Sequence, residues 1–313
     1  MERLEVGLDP GGAARIRAGD GQRDSHRVTS LANAAGGAML RGTPTRRRGG
    51  ARIASNLQTT VRDLQRRKAR GRRGLAVLEG VRLVEEALAA GLEFEGALVS
   101  PDLARTTRGQ TLVADLASHA ITVEEVGARL FGQLAGTETP QGILAVVAPR
   151  IWTVADVSPA PGSAVLVVDG VQDPGNLGTL IRTAHALGAA ATIVLRGTAD
   201  PMNAKALRSA MGATFRHPVV PLDDAPFIAW SRQRGLTLWA AAVDGVPLAR
   251  ALDGNVQREE LIAVIVGNEG AGIRPQLNAV SAQRVAIPLA RGAESLNVAV
   301  AAGILLYEVL RGR

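Results

Sequence analysis

AVLVVDGVQDPGNLGTLIRTAHALGA (164–189) decides the fold class. Its opening residues, 164–168, are apolar without a break, the pattern of a strand covered on both faces in a parallel sheet. Asp173 and Pro174 then supply a helix start: a carboxylate to cap exposed N–H groups and a ring that pre-sets φ at the first helical position. At helical spacing Leu177, Leu180, Ile181, Ala184 and Leu187 form one apolar stripe, and Arg182 falls off it beside Gly178, Thr179 and His185. A strand that feeds a helix through a short turn is the unit of α/β folds, whose ligands sit at the carboxyl ends of the strands.

Working outward, further apolar runs at 191–195, 236–242, 261–266 and 284–288 read as buried strands, with helices near 175–188, 203–211, 224–234 and 294–311. Upstream, Pro149, Pro159, Pro161 and Gly162 mark 149–162 as a linker. Before it, 51–148 reads as a smaller α/β domain. Its helices are expected at 53–68, 81–90, 109–118 and 124–134, its strands at 75–78, 97–100, 120–123 and 142–148. Residues 1–50, rich in Gly, Ala, Arg, Ser and Thr and ending in Arg46-Arg47-Arg48, lack periodicity and read as a disordered basic arm. Residues 163–313 form the second domain.

The chain has 313 residues, enough for two cores. Its 46% hydrophobic and 21% charged residues suit a folded protein, and with only 3% aromatics those cores must be aliphatic. A net charge of +7 favours an anionic partner. The absence of cysteine excludes disulfides, thiolate metal sites and thiol nucleophiles. No apolar run approaches the roughly 20 residues that span a bilayer, and MERLEVGLDP puts charges where a secretory signal is apolar. Cytoplasmic localisation is therefore expected. The histidines, 26, 119, 185 and 217, show no ligand spacing, so no metal is expected.

Two later segments carry chemistry. IAVIVGNEGAGI (262–273) is a strand ending in a glycine-rich turn, without the G-x-G-x-x-G order of dinucleotide sites. VAIPLARGAESLNVAVAAGILLYEVLR (285–311) is a strand, a turn and a helix apolar nearly all round, which is expected to be buried in a core or between subunits. Polar residues at the start of such a helix need partners. Together with DPGNLGTLIRTAHALG, these segments resemble the three motifs of the SpoU (TrmH-like) RNA 2′-O-ribose methyltransferases of the SPOUT superfamily. The resemblance implies a knotted (trefoil), mostly parallel-sheet catalytic domain that binds S-adenosylmethionine and pairs as a homodimer to complete its sites. It also implies a catalytic group of Asn176, Arg182, Glu269, Ser295 and Asn297. Gly267, Ile287 and Leu296 are then cofactor contacts, largely through backbone.

RRGLAVLEGVRLVEEAL (72–88) and TETPQGILAVVA (137–148) resemble the two ends of the ribosomal-protein-like substrate-binding domain that precedes many SpoU domains. Glu79, Gly80 and Arg82 belong to the first signature, Pro140, Gln141 and Gly142 to the second. In that setting Arg66, Arg67, Lys68, Arg70, Arg72 and Arg73 are expected to meet RNA phosphates. This arrangement points to large-subunit ribosomal RNA, in a family some of whose members confer resistance to ribosome-targeting antibiotics. A tRNA methyltransferase, a non-catalytic RNA-binding assembly factor and a nucleotide-binding protein using Gly267–Gly272 for phosphate are the alternatives.

Overall fold

A computed structural model describes residues 57–252 and 260–311; the arm expected over 1–50 and the start of the helix expected at 53–68 lie outside them. The first part runs α1 (Leu57–Leu64), α2 (Arg67–Arg73), β1 (Ala76–Glu79), α3 (Val81–Ala89), β2 (Glu93–Val99), α4 (Thr107–Ser118), β3 (Val123–Glu125), α5 (Ala128–Leu134) and β4 (Ile143–Ala148). Its four strands lie in the order β1-β4-β2-β3, with β4 antiparallel to both neighbours and β3 parallel to β2.

The second part runs β5 (Ala164–Val168), α6 (Pro174–Ala186), β6 (Ala191–Leu195), α7 (Ala204–Ala210), α8 (Ala213–Arg216), β7 (Val219–Leu222), α9 (Asp224–Gln233), β8 (Thr237–Pro247), α10 (Leu248–Leu252), β9 (Ile262–Val266), α11 (Pro275–Val280), β10 (Gln283–Ala286) and α12 (Val298–Leu310). Its six strands lie in the order β10-β8-β9-β5-β6-β7, and every pairing is parallel. The order reverses beside β5, so the carboxyl ends of β5 and β9 form the switch point where open α/β sheets bind ligands.

Both faces of this sheet are covered, as the unbroken apolar strands require. Alternate residues of β5 and β9 divide between two cores. Leu166, Val168, Val264 and Val266 pack with Leu177, Leu180 and Ile181 of α6 and Ala302, Leu305 and Leu306 of α12. Val165, Val167, Ala263 and Ile265 pack with Phe227 and Trp230 of α9 and Leu277 of α11. The 149–162 stretch is anchored rather than free, because Trp152, Val154 and Val157 join this second core.

The two sheets share a core. Leu207 of α7 and Phe215 of α8 pack among Leu78, Val84 and Leu112 of the smaller sheet's layer. Around that contact lie ion pairs. Glu79, 5% exposed, accepts from Arg208 Nη1 (2.7 Å), Gly136 N (3.1 Å) and Thr137 Oγ1. The two signatures of the smaller domain also meet here: Gln141 Oε1 accepts from Val81 N at 3.0 Å, which caps α3.

Three expectations need correction. The single helix at 53–68 breaks at Arg66, whose backbone is extended (φ −91°, ψ 130°), so α1 can bury Val61 and Leu64 while α2 turns Arg70 inward. Arg70 is not an exposed member of the basic run. It is 7% exposed, donates to Leu64 O (2.8 Å) and Gln65 O (3.0 Å), and pairs with Asp200 at 2.6 Å. The helix expected over 294–311 starts only at Val298, and Val300, Ile304 and Tyr307 are exposed on it, so one chain alone buries only part of a helix expected to lie in a core or between subunits. β7, which no apolar run announced, is an edge strand, the position where its Pro221 costs no ladder bond.

His217 closes α8 at 2% exposure, with Nε2 2.9 Å from Thr192 Oγ1 and its ring 5.9 Å from that of His185. Burial, with a smaller contribution from His185, lowers its pKa from 6.5 to about 4. The unfolded chain therefore binds more protons between those values, and stability present above pH 6.5 is lost as pH falls towards 4. Urea unfolding at several pH values should show this slope in the wild type and a shallower one in His217→Gln. An equal slope in both would remove His217 as its cause.

Candidate active site

The site is built where β5 and β9 end. Asp173 caps α6, accepting from Asn176 N at 2.8 Å and holding Lys205 Nζ at 2.6 Å. The Lys205 bond, then that from Asn176, keeps the Asp173 carboxyl below its usual range. Asn176 thus sits in the first turn of α6, at the carboxyl edge of the sheet.

After β9 the chain makes a tight turn in which Asn268 N and Gly272 N each donate to the other residue's carbonyl at 3.0 Å. Asn268 organises this turn: Oδ1 accepts from Gly270 N and Ala271 N, and Nδ2 donates to Gly170 O, all at 2.9 Å. A Cβ on Gly267 would lie 2.3 Å from the Gly272 carbonyl carbon, so no side chain fits there. The far end of the turn is tied down by Asp169, 1% exposed, which accepts from Arg274 N (2.8 Å) and Nε (2.6 Å). Both Nη atoms of Arg274 fork onto Asp224 at 2.8 and 2.7 Å. Burial opposes the guanidinium charge, but the bonds to Asp224 and Asp169 outweigh it and raise the Arg274 pKa.

The third segment arrives through Asn297, the N-cap of α12, whose Oδ1 accepts from Ala299 N (2.9 Å) and Val300 N (3.4 Å). Asn297 Nδ2 donates to Asn176 Oδ1 at 3.0 Å, across 121 residues of chain. Asn176 Nδ2 in turn donates to Glu269 Oε1 at 2.9 Å, across 93. Two amides therefore link all three motifs to one carboxylate.

Beside this link lies a cleft of about 600 Å³, whose lining includes Gly267, Glu269, Ile287, Ser295, Leu296 and Asn297. Ser295 and Asn297 are exposed on the loop before α12 rather than enclosed at the start of a buried helix. Arg182 stands apart: it is exposed on α6, forms no part of the cleft lining, and its side chain makes no hydrogen bond or ion pair with another described residue. Of the basic run, Arg66, Arg67 and Lys68 are exposed, while Arg72 and Arg73 pair with Asp63 at 3.2 and 2.9 Å.

Asn268, Asp169 and Arg274 were not among the expected site residues. An Asn two residues before a glycine after a buried strand is a turn signal, but the partners of Asp169 and Arg274, 105 residues apart, carry none.

Residues 163–307 match the SpoU rRNA Methylase family, and residues 59–145 match the MRM3-like substrate binding domain. Over 250 residues the chain is 37% identical to the 23S rRNA (guanosine(2553)-2′-O)-methyltransferase RlmP of Bacillus subtilis, covering 80% of this chain and 93% of that protein. The S-adenosylmethionine-bound rRNA methyltransferase of Sinorhizobium meliloti superposes with a TM-score of 0.71 at 29% identity, over 83% of this chain and 95% of that one. The SpoU methyltransferase AviRb of Streptomyces viridochromogenes, in complex with the same cofactor, gives 0.71 at 25% identity, over 82% and 97%. An all-parallel catalytic sheet, a smaller α/β domain before it and three motifs joined at one cleft thus coincide with these likenesses, and the chain belongs to the SpoU family of ribosomal RNA methyltransferases.

Proposed function

We propose that the chain transfers a methyl group from S-adenosylmethionine to the ribose 2′-hydroxyl of a guanosine in 23S ribosomal RNA. The observation that carries this is the run Asn297–Asn176–Glu269, which gathers the three motifs at the mouth of the cleft. RlmP and the RlmB protein of Pasteurella multocida are both named as 23S rRNA guanosine 2′-O-methyltransferases, and the latter is 31% identical over 211 residues.

The cleft fits the cofactor. Val266, Ile287 and Leu289 offer an apolar wall for an adenine, and the carboxylate of Glu269 complements a cationic group, while Asp244, also in the lining, is paired with Arg284. A phosphate would instead want cations at the glycine turn, where Glu269 stands. Gly267, Ile287 and Leu296 would hold the ligand mainly through backbone. When bound, S-adenosylmethionine supplies an electrophilic methyl group.

The chain's own residues orient the acceptor. A ribose hydroxyl is a weak acid, so its proton must leave as the new C–O bond forms, passing to water or to a phosphate oxygen of the RNA. Arg182, a guanidinium and so a poor base, anchors an RNA phosphate and stabilises the developing alkoxide. Asn176, Ser295 and Asn297 fix the ribose, with Glu269 holding the Asn176 amide in place. Most of the acceleration then comes from orientation. Residues 51–148 serve as the RNA-binding domain and 163–313 as the methyltransferase domain, its loops threaded as the family's trefoil knot.

Pairing of two copies completes the sites. Val300, Ile304 and Tyr307, 51%, 37% and 54% exposed, recur at helical spacing on α12 and make an apolar stripe suited to a second copy. Sedimentation should find a dimer, and Ile304→Asp a monomer; a wild-type monomer would contradict the pairing.

Incubation with methyl-labelled cofactor and bacterial 23S ribosomal RNA should place the label in a 2′-O-methylguanosine. Arg182→Ala should lower kcat by at least about a hundredfold while leaving cofactor affinity in calorimetry unchanged. Label on a base, or on tRNA alone, would sink the proposal.

A further inference from the structure

The carboxyl edge of the large sheet continues past Asn176 to a second cleft, of about 630 Å³, that no motif announced. Its floor is the ends of β6 and β7, and its walls are α2 and the stretch 149–152. The two clefts share one edge. Thr198 Oγ1 donates to Val168 O at 3.1 Å and accepts from Gly170 N at 2.9 Å, tying the end of β6 to that of β5.

The chemistry of this cleft is one-sided. Arg67, Arg150 and Arg196 are exposed in its lining. Of its carboxylates, Asp200 is already bound by Arg70 Nε and Nη2 at 2.8 and 2.6 Å, which leaves Asp223 against three guanidinium groups. Arg150 is also held in a particular posture. Its Cζ lies 3.6 Å from the centroid of the Trp152 ring, a separation at which only a guanidinium lying flat avoids the ring. Trp152 is itself fixed by packing on the large sheet's core. The outer face of Arg150 remains open, its side chain 56% exposed, and Asp156 is a distant partner at 3.9 Å.

A planar cation with one face on an indole and the other free is a stacking platform for a nucleobase, and flanking arginines suit the adjoining phosphates. We infer that this cleft is a second RNA subsite: a base of an unpaired stretch of the substrate stacks on Arg150, and Arg67 and Arg196 take the neighbouring phosphates. The inference rests on RNA being the substrate, and gives a protein poor in aromatics a way to grip bases with an arginine.

The test is binding of a bacterial 23S ribosomal RNA transcript to the full chain over a series of salt concentrations, with calorimetry of S-adenosylmethionine as the control for an intact fold. Arg150→Ala should weaken RNA binding about tenfold and raise the KM for RNA with kcat unchanged. Arg150→Lys, which keeps the charge and loses the plane, should recover only a minor part of that loss. Arg196→Ala should weaken binding and lower the salt slope by roughly one counterion. Wild-type affinity in the Arg150 and Arg196 variants would overturn the subsite, and full rescue by lysine would overturn the stacking. A wild-type protein that binds cofactor but no RNA would overturn the substrate reading as well.

Discussion

A carboxylate sealed at the end of the central strand has to be answered by a cation, and Asp169 is answered by Arg274. An unpaired charge at that depth would cost several kcal/mol, so the chain leaving β9 must return to β5 before it goes on to α11. That obligation draws the turn 267–273 over the carboxyl edge, where Asn268 binds the Gly170 carbonyl and Glu269 meets Asn176. Arg274 spends its remaining donors on Asp224 at the head of α9, so one guanidinium ties the glycine turn to the end of β5 and to a helix on one face of the sheet. The close fold of the turn also needs Gly267, where a side chain would collide with the Gly272 backbone.

The second constraint is the joint between the sheets. Leu207 and Phe215 are buried in the smaller domain's core, and Glu79 with Arg208 and Arg70 with Asp200 cross the same boundary. Each pair is largely withdrawn from solvent, where losing one partner is expensive. Whatever RNA the smaller domain holds is therefore presented to the carboxyl edge in a set orientation, and the stretch 149–162, packed through Val157 and Trp152, adds no slack.

Much of this was legible in the residues. The unbroken apolar strands announced a covered parallel sheet, Asp173-Pro174 announced the start of α6, and the motif order announced the family. What escaped depends on contacts distant in sequence. Arg70 sits in a run of basic residues and looks like its neighbours; only Asp200, 130 residues on, makes it a buried strut. The apolar α12 could be read as belonging to a core or to a subunit contact, because hydropathy cannot tell a core from a face awaiting another surface. β7 is short and contains a proline, so its period is too weak to mark an edge strand. The Arg150–Trp152 stack joins near neighbours, yet no spacing rule singles it out.

The proposed catalysis needs the three motifs to act as one unit through the Asn297–Asn176–Glu269 bonds. A double-mutant cycle of Asn176→Ala and Asn297→Ala, read in kcat on 23S ribosomal RNA at saturating cofactor, tests that directly. If the amides act together, the double variant should be scarcely worse than the more damaged single one. Losses that simply add in free energy would mean that the two residues work independently, and the linked site described here would be wrong.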